Sequence, residues 1–446
     1  MQQQKNYLAQ SALGILLVII SLFALYLIPE FDFGGFHFKR INLLSDIIKK
    51  EAKPESRKEA ITKKPKPVFA DTCKTGITCI EDYTTDTSGM NDFFNALNAA
   101  SKRKVRVAWF GDSYVEGDIM LDPLRDSMQA IFGGYGVGFV PITSEVAAFR
   151  ETIKHSYSGW KTFSIVGSRD DNHPLGFGGY TCAPTIESRS EYHPAKRKRL
   201  SQFSSVKIFY GNASSGNLIV NKDTIKIKPT RIMCDYAIEG LTSSFKLSVT
   251  DSSKVDLYGV SFESKTGLGI DNFSIRGNSG IGLAYVNESM YKRVDSINHY
   301  DLVVLSYGLN VASEKAKNYD WYVTGMSRVI KMIKRSFPHS SILLIGCSDR
   351  AENIDGELQT VPMLKELVDV QRQMAVDNQI CFLNLFEAMG GDSTMVKWAS
   401  MEKHPYANKD YTHLTFSGGK KVADILLGTI LYEKEKYDRK KKNLLP

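Results

Sequence analysis

Short apolar runs alternate with amphipathic stretches over two parts of the chain. "VRVAWF", "DLVVLSYG", "SSILLIGCS" and "ICFLNLF" are apolar throughout and bounded by turn residues, so each reads as a strand buried on both faces. "LDPLRDSMQAIFG", "WYVTGMSRVIKMIKRSF", "PMLKELVDVQRQMAVDN" and "SGGKKVADILLGTILYEKEK" have helical periodicity and lie between or after those strands. Such alternation predicts a parallel sheet covered by helices on both faces. The middle differs. "SVKIFYG", "GNLIVN", "DTIKIKP", "SFKLSVT" and "VDLYGVSFES" are short, β-rich and separated by Gly, Asn or Asp, which predicts a sandwich-like all-β module inserted over 148–270. The α/β domain is then expected at 101–147 and 271–446.

Toward the N-terminus the pattern loses its core-building character. "EAKPESRKEAITKKPKP" is charged and poor in aromatics, so 30–100 reads as a spacer, with a short helix in "FHFKRINLLSDIIKK". Ahead of it, Ser11–Pro29 carries no charge over 19 residues, enough to cross a bilayer. No small-residue cleavage site follows. The expectation is an uncleaved transmembrane signal anchor at 1–29, single-pass in a bacterial inner membrane, with the body in the periplasm.

Composition changes the picture little. With 446 residues, 43% of them apolar, the chain can bury a large core. The net charge of +8 is concentrated in clusters such as "KRKRL" and "DRKKKN". No nucleic-acid module accompanies them, so they read as solvated faces and no nucleic-acid partner is expected. The six cysteines show no Cys-x-x-Cys spacing, and no metal or other cofactor is expected. An oxidising compartment permits Cys73–Cys79 and Cys182–Cys234 pairing, whereas Cys347 and Cys381 lie near apolar runs and read as buried thiols.

Candidate chemistry sits where strands end. "VRVAWF" stops on Gly111-Asp112-Ser113, a tight turn that can expose a serine at the carboxyl edge of a parallel sheet, where open α/β sheets bind ligands. In "DYTHLTFSGG", Asp410 and His413 can supply from one loop a base and the acceptor that fixes its tautomer. In "LSYGLNVAS", Asn310 can aim an amide donor at a developing oxyanion, and in "NFSIRGNSGIG" Gly277 can offer its N–H.

Taken in order, "FGDSYVEGD", "IRGNSG", "YGLN" and "DYTH" resemble the four blocks of the SGNH (GDSL-type) hydrolases. The β module between the first two, with "FGGYGVGFVP" and "FEAMGGDSTMVKW" expected along the approach to the serine, is similar to the layout of bacterial envelope and peptidoglycan O-acetylesterases. The resemblance implies a three-layer α/β/α domain interrupted by the β module, with Ser113 as nucleophile, His413 as base and Asp410 as its orienting partner. The oxyanion hole would be Ser113, Gly277 and Asn310. It further implies a serine esterase acting on O-acetyl groups of a cell-envelope glycan such as peptidoglycan, with that polysaccharide as partner and a membrane O-acyltransferase as a candidate second partner. Two alternatives remain open: an O-acetyltransferase using the same residues, and a non-catalytic, membrane-anchored carbohydrate-binding protein. The sequence departs from the family pattern at Val311, where an aspartate commonly follows the asparagine, and at Tyr114, which can shape the acyl pocket or simply pack.

Overall fold

The structure is a computed structural model that describes residues 7–27, 31–33, 36–38, 73–201, 203–250, 253–313 and 318–443. The chain divides into two compact units, Met1–Pro65 and Lys66–Pro446.

In the first unit Tyr7–Leu27 is helical over 21 residues. Among the described residues no helix is long and apolar enough to cross a membrane. This corrects the expected transmembrane anchor, the inner-membrane contact made through it and the periplasmic placement that followed. The expected short helix after it is corrected in part. Phe36–Phe38 is a strand paired antiparallel with Phe31–Phe33, and residues 39–72 lie outside the described residues.

The second unit is built on a six-stranded sheet: β1 (Glu81–Asp82), β2 (Lys104–Gly111), β3 (Gly267–Ser274), β4 (Leu302–Ser306), β5 (Ser341–Ile345) and β6 (Cys381–Leu383). Their spatial order is β3-β2-β4-β5-β6-β1, parallel throughout except for the β6–β1 edge. Every residue of β4 and β5 is buried, as their unbroken apolar composition requires. Helices Asn91–Asn98, Leu121–Phe132 and Phe416–Asn443 pack on one another in one group, and Glu288–Asn298, Asp320–Ser336 and Leu364–Asn378 in another. The result is an α/β/α core. The chain leaves β2 for β3 on one side and then crosses to β4 on the other, so the strand order reverses at the carboxyl end of β2. That reversal opens a crevice, and the residue waiting there is Ser113.

The core begins earlier than the sequence suggested. β1 extends the sheet, Phe93 and Phe94 of Asn91–Asn98 are buried, and a disulfide joins Cys73 to Cys79. Residues 73–100 are therefore part of the fold rather than spacer: the aromatic pair supplies the apolar surface that the charged stretch before it lacks.

The second sheet is antiparallel and nine-stranded. It has two halves. One comprises Ile153–Ser164, Tyr180–Pro194, Phe245–Val249, Asn217–Val220 and Asp223–Lys226; the other comprises Gly138–Val140, Lys254–Glu263, Phe203–Ser215 and Cys234–Thr242. A single pairing, Leu257 with Cys182, joins them. Between the halves lies a core of its own, including Tyr192, Phe203, Phe245 and Phe262. The module starts with Gly138–Val140 and ends at Glu263, because 267–270, expected inside it, already belong to β3. Cys182 and Cys234 are free thiols. They lie in one row across the sheet, Cys182–Leu257–Tyr210–Cys234, three strand spacings or about 14 Å apart, too far for a disulfide.

Buried charge fastens this module to the core. Arg106 on β2 forms a two-nitrogen contact with Glu263 at 3.2 and 2.7 Å, and Lys104 lies 3.6 Å from the same carboxylate. Burial opposes the charge on Glu263, but Arg106 and Lys104 outweigh it and hold the carboxyl down to about 2. Nearer the crevice, Asp118 accepts hydrogen bonds from Arg125 at 3.1 Å, Arg150 at 3.0 Å, Thr152 at 2.9 Å and Asn272 at 2.9 Å. Replacing Asp118 by Ala strands two buried guanidinium groups, with an expected loss of about 3–5 kcal/mol. Urea unfolding of wild type and Asp118→Ala checks this; a loss under about 1 kcal/mol contradicts it.

Candidate functional site

The turn after β2 sets the site. Gly111 packs so closely on Val115 that a Cβ there would come within 2.7 Å of its side chain. Asp112 is buried and accepts the Tyr114 N–H at 2.9 Å, which tightens the turn and leaves Ser113 facing the crevice. Gly117 and Asp118 both adopt positive φ, 65° and 64°, carrying the chain back under the serine into the Asp118 cluster.

His413 arrives from the loop before the last helix. Its Nε2 is 2.9 Å from Ser113 Oγ, and its Nδ1 is 2.7 Å from Asp410 Oδ2. With Nδ1–H donating to Asp410, Nε2 keeps its lone pair for the serine hydroxyl. The other Asp410 oxygen accepts the backbone N–H groups of His413 and Thr412 at 2.9 and 3.0 Å. Burial pushes the Asp410 carboxyl up, but the His413 and Thr412 hydrogen bonds prevail and hold it below the ordinary carboxylate range.

Asn310 lies after β4. Its amide Nδ2 donates to Asp112 Oδ2 and to the Asn278 carbonyl, both at 3.1 Å. The two contacts use both amide hydrogens, so donation to a bound oxyanion requires one to be shared or exchanged. They also bring the Gly277–Asn278 loop to the Ser113 turn. Gly277 has φ 76° and no atom within 4 Å of a Cβ position, so its backbone angle, rather than lack of space, calls for glycine.

The two sequence departures find physical accounts. Val311 is buried, and the loop bearing Asn310 is held by Arg350, whose Nη1 donates to the Leu309 and Ala312 carbonyls at 3.0 and 3.2 Å. Tyr114 is buried, with its hydroxyl 3.4 Å from Met389 Sδ, so "FEAMGGDSTMVKW" does reach the floor of the site. In "FGGYGVGFVP", Gly134 and Gly138 press on the backbone of Leu268 and Ile270, while Phe139 and Pro141 line a cavity with Glu116 and Gly117.

Three features of the site were not singled out from the sequence: the Asp112–Asn310 contact, the Arg276–Glu116 pair at 2.8 Å and the Phe149–Phe416 stack, with ring centroids 5.0 Å apart. Glu116, Phe149 and Arg276 line the same pocket as Ser113 and His413. Glu116 and Arg276 fall inside the quoted blocks, so their neighbourhood was signalled; Phe149 had no local signal. Among the described residues no group of three or more His, Cys, Asp or Glu side chains could hold a metal ion.

Among solved structures the chain is similar to a peptidoglycan O-acetylesterase, with a TM-score of 0.68 and 20% identity over 80% of this chain and 99% of that one. The chain shares the fold of that esterase. Looser likenesses include an acetyl xylan esterase, with a TM-score of 0.29 and 18% identity over 36% of this chain and 81% of that one. Another is a family two carbohydrate esterase from Clostridium thermocellum in complex with cellohexaose, with a TM-score of 0.27 and 12% identity over 64% and 99%. No family model matches the chain, and no curated protein matches it.

Burial pushes the Asp112 carboxyl up to about 7, against the opposing hydrogen bonds from Tyr114 and Asn310. The folded chain therefore holds this proton more tightly than the unfolded chain, and the stability it contributes declines as pH rises from about 4 to about 7. Asp112→Asn removes the titration and is expected to flatten that part of the stability profile. Urea midpoints of both proteins between pH 4.5 and 7.5 check this; parallel profiles contradict it.

Proposed function

We propose that the chain is a serine esterase that removes O-acetyl groups from a cell-envelope glycan such as peptidoglycan. The observation that carries the reading is the continuous contact from Ser113 Oγ through His413 to Asp410, at 2.9 and 2.7 Å, at the strand-order reversal of the sheet. Fold likeness to a peptidoglycan O-acetylesterase supports the choice of substrate class.

In this reading His413 Nε2 takes the Ser113 proton as Oγ attacks the acetyl carbonyl carbon. Asp410 steadies the imidazolium that results. The Ser113 and Gly277 N–H groups and the Asn310 amide stabilise the oxyanion. His413 then gives its proton to the sugar oxygen as the ester C–O bond breaks, leaving acetyl on Ser113. Water attacks that ester, His413 again accepting the proton, and acetate leaves with Ser113 reprotonated. Every proton in these steps is moved by His413.

Ser113→Ala and His413→Ala are each expected to lower acetate release from acetylated peptidoglycan by about 10,000-fold or more. Asn310→Ala is expected to cost roughly 100- to 1,000-fold in kcat, and Asp410→Asn to retain the fold while slowing turnover. Acetate assay of the folded variants measures this. Undiminished release by Ser113→Ala overturns the mechanism, and acetyl recovered on an added glycan rather than as acetate overturns hydrolysis in favour of transfer.

A further inference from the structure

Resting on the esterase reading, we propose that Glu116 is a positioning residue of the oxyanion hole: through Arg276 it holds the Arg276–Gly277 peptide, so that the Gly277 N–H stays aimed at the developing oxyanion. Residues 275–278 form a turn after β3, closed by the Asn278 N–H donating to the Ile275 carbonyl at 3.2 Å. Gly277, third in the turn, has φ 76°, and Arg276 before it does not share that sign. The combination is a type II turn. In the type I alternative the central peptide is turned over, and the N–H of the third residue points the opposite way. Here that central peptide carries the proposed Gly277 donor. Its direction decides whether it can serve an oxyanion.

The ends of the turn are fixed and its middle is not. The Ile275 N–H donates to the Gly111 carbonyl at 3.0 Å, and the Asn278 carbonyl accepts Asn310 Nδ2 at 3.1 Å. Among the described residues none accepts the Gly277 N–H, and nothing lies within 4 Å of a Cβ position on Gly277. Glycine does not hold the angle by itself, since it adopts either sign of φ at little cost. The Arg276 side chain supplies the restraint. Its Nη2 lies 2.8 Å from Glu116 Oε2, and the Glu116 side chain is 8% exposed whereas that of Arg276 is 57% exposed. The anchored end is therefore the carboxylate, seated in the short helical turn that follows Ser113. Burial pushes the Glu116 carboxyl up, and Arg276 is the main group opposing that shift, so each charge holds the other. The pair thus joins the two segments whose backbone N–H groups, at Ser113 and Gly277, meet one oxygen in this reading. Both side chains line the pocket of Ser113 and His413, so the tether spans the site rather than a remote part of the fold.

The test measures kcat and KM of the full chain on p-nitrophenyl acetate, together with inhibition by an alkyl trifluoromethyl ketone. The ketone carbon bonds to Ser113 Oγ, the serine proton passes to His413, and the ketone oxygen becomes an oxyanion in the hole. The matching trifluoromethyl alcohol, which cannot add to serine, is the control. Glu116→Leu removes the anchor without leaving a buried charge unpaired, because Arg276 is exposed enough to stay hydrated. It is expected to lower kcat by about 10- to 100-fold with KM held within about two-fold, since a misdirected donor costs up to what a deleted one does. Ketone affinity is expected to fall in step while alcohol affinity stays. Glu116→Leu/Arg276→Gln is expected to lose no more than the single variant, because two ends of one tether do not add. Glu116→Gln, which keeps an acceptor for Nη2, is expected to retain much of the activity. A Glu116→Leu kcat within about three-fold of wild type, a loss carried by KM, or an unchanged ketone affinity overturns the proposal. Wild type that turns over no acetyl ester counts instead against the esterase reading. The crystal structure of Glu116→Leu/Arg276→Gln then decides the positioning role, with Gly277 still at positive φ and the 275–278 turn intact rejecting it.

Discussion

The structure hangs on one buried carboxylate. Asp118 is 1% exposed and collects Arg125 from the helix behind the serine turn, Arg150 and Thr152 from the chain entering the second sheet, and Asn272 from β3. Burying such charges costs several kcal/mol each unless partners surround them. Here the partners come from separate parts of the chain, so the ion satisfies itself only when those parts are in place. The Ser113 turn, the root of the β module and the strand that carries Arg276 and Gly277 are thereby referred to one point. The left-handed backbone of Asp118, which follows Gly117 in the same region, is the local cost of delivering the carboxylate there.

From that point the chemistry is layered outward. Asp112 is sealed beneath the turn and bonded to Asn310; Ser113 and His413 meet at the crevice; Asp410, half exposed, steadies His413 from the rim. The inner carboxyl is raised by burial and the outer one held down by its hydrogen bonds, so two aspartates close to the same histidine are shifted in opposite directions. That separation suits a site in which one carboxylate supports an imidazolium while the other serves the framework.

Much of this was legible in the sequence because it is local. Continuous apolar strands ending in Gly-Asp-Ser and Tyr-Gly-Leu-Asn, and the Asp-Tyr-Thr-His loop before the last helix, carry their own signals, and the α/β core with a β module followed from their order. What was not legible is set by tertiary contact. Residues 73–100 looked like spacer because their burial depends on Phe93 and Phe94 meeting the distant strand Ser341–Ile345 and the last helix. The module boundary was misplaced because 267–270 read as β in either sheet, and only parallel pairing with Lys104–Val107 assigns them. The Cys182–Cys234 pairing failed on strand order, which spacing along the chain does not encode. The membrane anchor was inferred from apolar length and the missing cleavage site, but among the described residues no helix is long and apolar enough to cross a membrane.

The central claim is that Ser113 is the nucleophile, made so by His413. Incubation with a fluorophosphonate, which reacts with an activated serine hydroxyl, followed by intact-mass analysis and peptide mapping, tests it most directly. The account predicts one adduct per chain, on Ser113, abolished in His413→Ala. Acetate-releasing protein that takes no adduct, or takes it on another residue while Ser113 stays unmodified, contradicts it.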